Sequence, residues 1–342
     1  MSDDLTTERL SAIFERMVLM RRFEETVAAL NKQHSFGHFH LYIGQEATGA
    51  AAIETLWDGD LSLTTHRNHS HIVGRGTDPG RALAEIMGRS GGTNGGRGGT
   101  LHLTDRSAGF LSTSAVVGGS IGLATGAAYA QKRRDNGAIA VAFFGDAALE
   151  EGIAFEAMNM AALWSLPVLY LCENNSRGAL GASGGEYTSS EMATDRLHDI
   201  PASLGIATEV VDGADAAAVF ATVSGAIARL RAGDGPFFVE ALTERWPGSR
   251  PLWPELVTGI TRLEAAWDEG LIEGKHAGWI RDHDPLLRFA RVLTEGGVFD
   301  REALLEIDRQ VCWRINIARE FAEQSPFPKP ETALAGVFAG GA

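Results

Sequence analysis

Cysteine is almost missing from this chain. Cys172 and Cys312 are the whole complement, too few for a disulfide framework or a structural zinc site, and a reducing, cytoplasmic setting is the expectation. Positive charge is also in short supply: 30 Lys and Arg stand against 44 Asp and Glu, a formal net charge of −14. Such a balance argues against a general nucleic-acid binder or a binder of anionic membranes. It leaves a phosphate ligand open, because a local ring of backbone N–H groups and a metal can overcome a distant acidic surface. No apolar run reaches the roughly 20 residues that a bilayer crossing needs. Met1 to Glu8 is polar and acidic, unlike a signal peptide or a basic transit peptide. No internal repeat is visible, and no G-x-G-x-x-G opens a helix after a strand, so the dinucleotide fingerprint is absent.

What is present is the material of a globular α/β protein, with 44% hydrophobic and 22% charged residues. We read residues 1–342 as a single domain: a helical N-terminal arm over 7–32, a core from about 40 to 250, and a helical or irregular part over 251–342. In the arm, Leu10, Ile13, Met17, Met20 and Val27 recur at helical spacing with Arg and Glu between them, the pattern of an amphipathic helix. A second helical segment runs from about Gly44 to Leu56. From Gly88 to Thr100, seven of thirteen residues are glycine. That excludes a helix or strand interior and leaves a mobile, ligand-wrapping loop or a plain surface linker. Gly118, Gly122 and Gly126 fall on one helical face and predict close helix packing, within the chain or between subunits.

The middle of the chain is the most regular. Ala138–Phe144 is a continuous apolar run, as expected of a parallel strand covered on both faces. A helix from Leu149 to about Trp164 and a second buried strand, Val168–Cys172, complete a βαβ unit. Ala207–Val211, Ala214–Arg231 and Pro236–Leu242 make another. Such units predict an open, mostly parallel sheet with helices on both faces.

Ligands of such sheets bind at the carboxyl ends of the strands. Gly145-Asp146-Ala147 closes one predicted strand and Glu173-Asn174-Asn175 the next. A carboxylate and an amide oxygen suit a hard cation such as Mg²⁺, which recruits phosphate oxygens to complete its octahedron. A helix N-terminus beside them favours an anion. The competing reading is structural, with Asp146 as a helix N-cap and the asparagines in a turn.

Gly145-Asp146, an acidic and small-residue spacer, and Asn174-Asn175 resemble the thiamine-diphosphate motif that begins Gly-Asp-Gly and ends Asn-Asn. The segment FEAMNMAALWSLPVLYLCENN, together with HLYIGQEA at 40–47, GRGGTLHL ending at Leu103 and GDGPFFVEALTER at 233–245, resembles the α subunits of thiamine-diphosphate-dependent 2-oxoacid dehydrogenases of the pyruvate, branched-chain and acetoin types. The likeness runs from about residue 15 to 245. It implies a thiamine-diphosphate-binding fold. It also implies Mg²⁺ held by Asp146, the Asn175 side chain and the Arg177 carbonyl. Gly145, Ala147 and Ala148 would cover the diphosphate, and Arg67 would reach it, with His66 where the family has tyrosine. Backbone near Val117 and Gly119 would contact the aminopyrimidine, and His40 and His69 would stand near the thiazolium. The resemblance further implies a β subunit supplying the activating glutamate, in an assembly of two α and two β chains.

Two positions depart from the pattern. Ala147 replaces the motif's third residue, glycine, which is tolerable only where φ is negative. Arg245-Trp246-Pro247-Gly248-Ser249-Arg250 stands where the family has a loop like Arg-Tyr-His-Gly-His-Ser, so Ser249 replaces the histidine that assists acyl transfer to lipoyl groups. Serine cannot hold a proton near neutral pH unaided. Three activities therefore fit the sequence. The first is oxidative cleavage of a 2-oxoacid or hydroxyketone, passing the acyl group to an acceptor such as a lipoyl-bearing acyltransferase. The second is a carboligase or lyase without a lipoyl partner, and the third a non-catalytic cofactor-binding subunit.

Overall fold

The structure is a computed structural model that describes residues 5–34, 36–37, 39–67, 69–176, 192–194, 196–249 and 255–334. In chain order the helices and strands begin with α1 (Thr7–Gln33), α2 (Glu46–Glu54), β1 (Leu61–Thr65), α3 (His69–Gly74), α4 (Pro79–Ile86), β2 (Phe110–Ser114) and α5 (Gly119–Arg134). There follow β3 (Ala140–Gly145), α6 (Gly152–Leu163), β4 (Val168–Asn174), α7 (Asp199–Ser203), β5 (Ala207–Asp212), α8 (Ala216–Ala232) and β6 (Phe237–Leu242). The chain then runs through α9 (Ala277–Asp282), α10 (Pro285–Glu295) and α11 (Arg301–Gln324). The strands form one sheet in the order β2-β1-β3-β4-β6-β5, every described pair parallel.

Side-chain alternation in the central strands builds two cores. Val141 and Phe143 of β3 and Leu169 and Leu171 of β4 face the layer containing α1, α2, α8, α10 and α11. Ala142 and Phe144, with Tyr170 and Cys172, face the layer of α5 and α6. Both faces are dry, which is why these strands read as unbroken apolar runs rather than alternating ones. The open α/β sheet expected from the sequence is thus observed. Strands β1 (LSLTT) and β2 (FLSTS) carry too few apolar residues to announce themselves.

The arm helix α1 departs from a simple amphipath. Thr6 caps it, accepting from the Arg9 N–H at 3.4 Å. Its middle is buried all round, with Arg21, Arg22, Glu24 and Glu25 inside the protein. Their charges are matched by distant residues: Arg22 grips Asp308 at 2.8 and 2.9 Å and Arg21 grips Asp284 at 2.8 and 3.0 Å. Periodicity alone cannot foresee such partners.

The glycine-rich segment is tied into the protein rather than left as a plain surface linker. Glu85, fully buried on α4, draws it inward. Its carboxylate accepts from the backbone N–H groups of Asn94 at 2.7 Å, Gly96 at 2.9 Å and Gly98 at 2.6 Å. A Cβ on Gly92 would lie 2.4–2.6 Å from Glu85 atoms, so only glycine lets the chain wrap this closely. The segment after α11 straps it from outside, with Ser90 N donating to the Pro326 carbonyl at 2.8 Å and Arg89 stacked 3.9 Å over Phe327.

Candidate active site

Parallel strands place their carboxyl ends on one edge of the sheet, and that edge collects the polar residues. β1 leads to His66 and Arg67, β2 to the turn before α5, β3 to Asp146, β4 to Asn174-Asn175, and β6 to Thr243–Ser249. Because β3 and β4 are neighbours in register, with Gly145 opposite Glu173, Asp146 and Asn175 emerge side by side. The Asn175 N–H donates to Asp146 Oδ1 at 3.4 Å. Asp146 is 1% exposed, and the nearby Arg67 charge interacts with it.

The Asn175 side chain is oriented as well. Its Nδ2 donates to Gln45 Oε1 at 3.2 Å, with the amide oxygen on the other arm. The helix expected from Leu149 starts later. Residues Asp146–Glu150 form a 3-10 turn and α6 begins at Gly152, because Glu151 is extended at φ −79°, ψ 136°. Asp146 therefore sits in that turn, not at the N-cap of α6. Ala147 does not have a positive φ, which removes the steric objection to alanine there. Ala148 is buried beside it.

Arg67 is the most telling cation. Its Nη1 is covered and has no hydrogen-bond partner. Burial, then repulsion from Arg245, pushes the guanidinium well below its ordinary pKa, and the carboxylates of Asp146, Glu24 and Glu173 only partly oppose this. Two half-buried cations near one another, one with a covered donor left over, are chemistry that suits an anion.

The histidines divide. His40 and His66 meet edge to face with ring centroids 5.1 Å apart, both half-buried at the edge. His69 is fully buried. Its Nε2 lies 3.1 Å from the Thr100 carbonyl at the end of the glycine-rich segment, and its Nδ1 3.6 Å from Glu24 Oε2. Behind the edge, Tyr42 donates to Glu173, and His71 bridges Tyr42 Oη at 2.9 Å and Thr64 Oγ1 at 2.9 Å. Burial and then the Glu173 charge raise the Tyr42 pKa well above its ordinary value, so this hydroxyl stays a donor.

Val117 is half-exposed in the turn before α5. Gly118 has φ +76°, and a Cβ on Gly119 would lie 2.5 Å from Ser114 Oγ. The backbone here is therefore bare by necessity, with main-chain groups rather than side chains at the edge. Of the glycine stripe, a Cβ on Gly118 or Gly122 would meet Ile153 of α6, whereas one on Gly126 would meet nothing within 4 Å. Arg177 lies outside the described residues, as does Arg250.

Ser249 turns inward. It is 2% exposed, and its hydroxyl donates to the Trp246 carbonyl at 2.8 Å in a 3-10 turn. Reading by residue type missed Gln45, Glu24 and Glu173, which orient the edge. Gln45 lies within a segment flagged only by resemblance, and nothing local marks the two glutamates. Among the described residues no three His, Cys, Asp or Glu side chains gather as a metal cluster. A site of one carboxylate, one amide and main-chain oxygens would not form such a cluster. None of the described helices is long and apolar enough to cross a membrane.

Comparison with known proteins agrees with this geometry. Residues 15–249 match the dehydrogenase E1 component family. The chain is 34% identical to the α subunit of acetoin:2,6-dichlorophenolindophenol oxidoreductase of Cupriavidus necator over 98% of this chain and 95% of that one. It is equally similar, at 34%, to the corresponding Bacillus subtilis subunit over 98% and 95% of the two chains. The pyruvate dehydrogenase E1 component subunit alpha of Rhizobium meliloti is 34% identical over 92% of this chain and 86% of its own. The chain thus belongs to the dehydrogenase E1 component family, as an α subunit of the thiamine-diphosphate-dependent 2-oxoacid and acetoin dehydrogenase type.

Proposed function

We propose that the carboxyl edge of the sheet binds thiamine diphosphate through Mg²⁺, and that with a β subunit the chain oxidatively cleaves a 2-oxoacid or a hydroxyketone. The observation that carries this reading is Arg67, half-buried, with a covered and unpartnered Nη1 near the buried carboxylate of Asp146. A metal–diphosphate pair answers both charges at once. In this reading Asp146, the Asn175 amide oxygen and the Arg177 carbonyl hold the metal. Gly145, Ala147 and Ala148 line the diphosphate, Arg67 and His66 reach it, and main-chain groups at Val117 and Gly119 meet the aminopyrimidine. Thiamine diphosphate, when bound, supplies the sink for the electron pair released on cleavage next to a carbonyl.

The chain's own groups orient, exclude water and hold protons. His40, half-buried against His66, is the group we assign to carry a proton beside the substrate. His69 serves the thiazolium side from behind, by fixing the end of the glycine-rich segment through the Thr100 carbonyl. The β subunit would add the activating glutamate, two chains of each kind making the assembly. Support for a partner comes from α5, α6 and their ends, where Val117 just before α5, Leu123, Ile153, Met160 and Trp164 just after α6 are 40–54% exposed. Such an apolar face, running up to the site's own turn, is uncommon on a lone subunit.

A second reading, a carboligase or lyase without a lipoyl partner, is favoured by one observation: Ser249 is buried and bonded to Trp246, so it does not stand in for the family's loop histidine. Product analysis separates the two. The chain with its β subunit, thiamine diphosphate and Mg²⁺ is given 2-oxoacids and acetoin, with and without dichlorophenolindophenol. Turnover that requires the dye is expected. Hydroxyketones formed without it would establish the carboligase instead.

A further inference from the structure

A histidine away from the proposed ligands is wired to them. Glu240 of β6 is 3% exposed and points into the core that contains Tyr170 and Phe238. Each of its carboxylate oxygens has one donor: Asn174 Nδ2 at 2.8 Å on Oε1 and His198 Nδ1 at 2.8 Å on Oε2. A buried carboxylate depends on such donors, since losing one exposes it to the full desolvation penalty.

The consequence runs along the chain to the site. Because the Asn174 amide nitrogen is drawn to Glu240, its oxygen faces the other way and accepts from Ser176 N at 3.1 Å and Ser176 Oγ at 2.7 Å. The Asn174 main-chain carbonyl is held by Thr243 N at 2.8 Å. Residues 174 and 176 are thereby pinned on both sides of Asn175, whose main-chain N–H and side chain reach Asp146 and Gln45. His198, a quarter exposed just before α7, is the end of this chain of bonds. Its Nε2 is 3.8 Å from Asp199 Oδ1, and Asp199 is itself paired with Arg196 at 3.1 Å.

We infer that His198 is a positioning residue: through Glu240 and Asn174 it sets the turn that presents Asn175 to the metal. The inference rests on the Mg²⁺–diphosphate reading above. It is tested on the chain in complex with its second subunit, by titrating Mg²⁺ at fixed thiamine diphosphate and following binding calorimetrically. His198→Gln keeps the bulk of the side chain but carries no donor at the Nδ1 position, and His198→Asn places its amide nitrogen there. We expect His198→Gln to raise half-saturating Mg²⁺ about tenfold, the scale of one lost hydrogen bond to a charged group. His198→Asn should return it to within about threefold of the parent, a rescue that a packing role would not give. Asp146→Ala is the control and should abolish Mg²⁺-dependent binding. If His198→Gln lies within about twofold of the parent while Asp146→Ala is dead, the relay is wrong and the site stands. If Asp146→Ala still binds with the parent's Mg²⁺ dependence, the metal reading falls and the relay with it.

Discussion

Two arginines, the buried Arg21 and the half-buried Arg67, show how differently one residue type can be used. Arg21 is 0% exposed and saturated: Nε donates to Glu46 at 2.6 Å, the two terminal nitrogens grip Asp284 at 2.8 and 3.0 Å, and Thr261 takes a further bond at 2.9 Å. Burial opposes its charge, but Asp284 and Glu46 together outweigh burial and raise its pKa well above the ordinary value. Arg67 has the opposite balance: burial and Arg245 win, its pKa is depressed, and Nη1 has no acceptor. One network is closed within the chain and ties α1 to α2 and α10. Among the described residues the other network is left open at Nη1. The closed network fixes architecture, and the open one is where we propose that a ligand binds.

The comparison breaks most visibly if the closed network is opened. Arg21→Met leaves Glu46 and Asp284 buried without their cation and should cost about 3–5 kcal/mol of stability, measured by urea unfolding. Arg67→Met should do the reverse of this in the empty protein. Removing a cation whose covered Nη1 has no acceptor leaves unfolding stability unchanged or higher. Cofactor binding should instead weaken by about 1.5–3 kcal/mol, roughly ten- to a hundredfold in Kd by calorimetry. Equal losses of stability in the two variants would erase the distinction between them.

Glu85 sharpens the same contrast among the glycines. Its carboxylate closes a network of three backbone N–H donors, so the segment around it should be ordered without cofactor. Glu85→Gln puts an N–H₂ where an oxygen accepted, and should cost about 1–3 kcal/mol locally. The readout is hydrogen exchange at Asn94, Gly96 and Gly98. It should be slow in the parent with or without thiamine diphosphate and fast in the variant. Fast exchange in the empty parent would return the segment to the ligand-ordered loop that its composition alone invites.

These cases also mark what could be read from residues alone. Strands β3, β4 and β6 were legible because each is wet on neither face, and the convergence of Asp146 and Asn175 followed from the strand-end rule. Arg67, Val117 and Gly119 came from resemblance, not from any local pattern. Glu85 and Glu240 were invisible for a physical reason: a buried carboxylate is specified by donors from segments far away in sequence. His40 meeting His66, and Glu24 facing His69, are likewise tertiary facts. Periodicity also erred on α1, whose charged positions looked like a solvent face and proved to be an internal ion-pair lattice.

Ala147 offers the smallest effect and the finest test. The family motif has glycine here, and a methyl group would be excluded if the backbone had to adopt a left-handed conformation. It does not: Ala147 lies in the 3-10 turn Asp146–Glu150 without a positive φ. Glycine at this site is therefore not demanded by torsion, and the methyl group restricts the unfolded chain. Ala147→Gly should lower stability by about 0.5–1 kcal/mol through that entropy. Cofactor affinity should change by less than about threefold, because in the proposed site the covering group would be the main-chain N–H that both residues own. A larger gain in affinity on removing the methyl would mean that it crowds the diphosphate, and that the open network around Arg67 is being filled against a steric load.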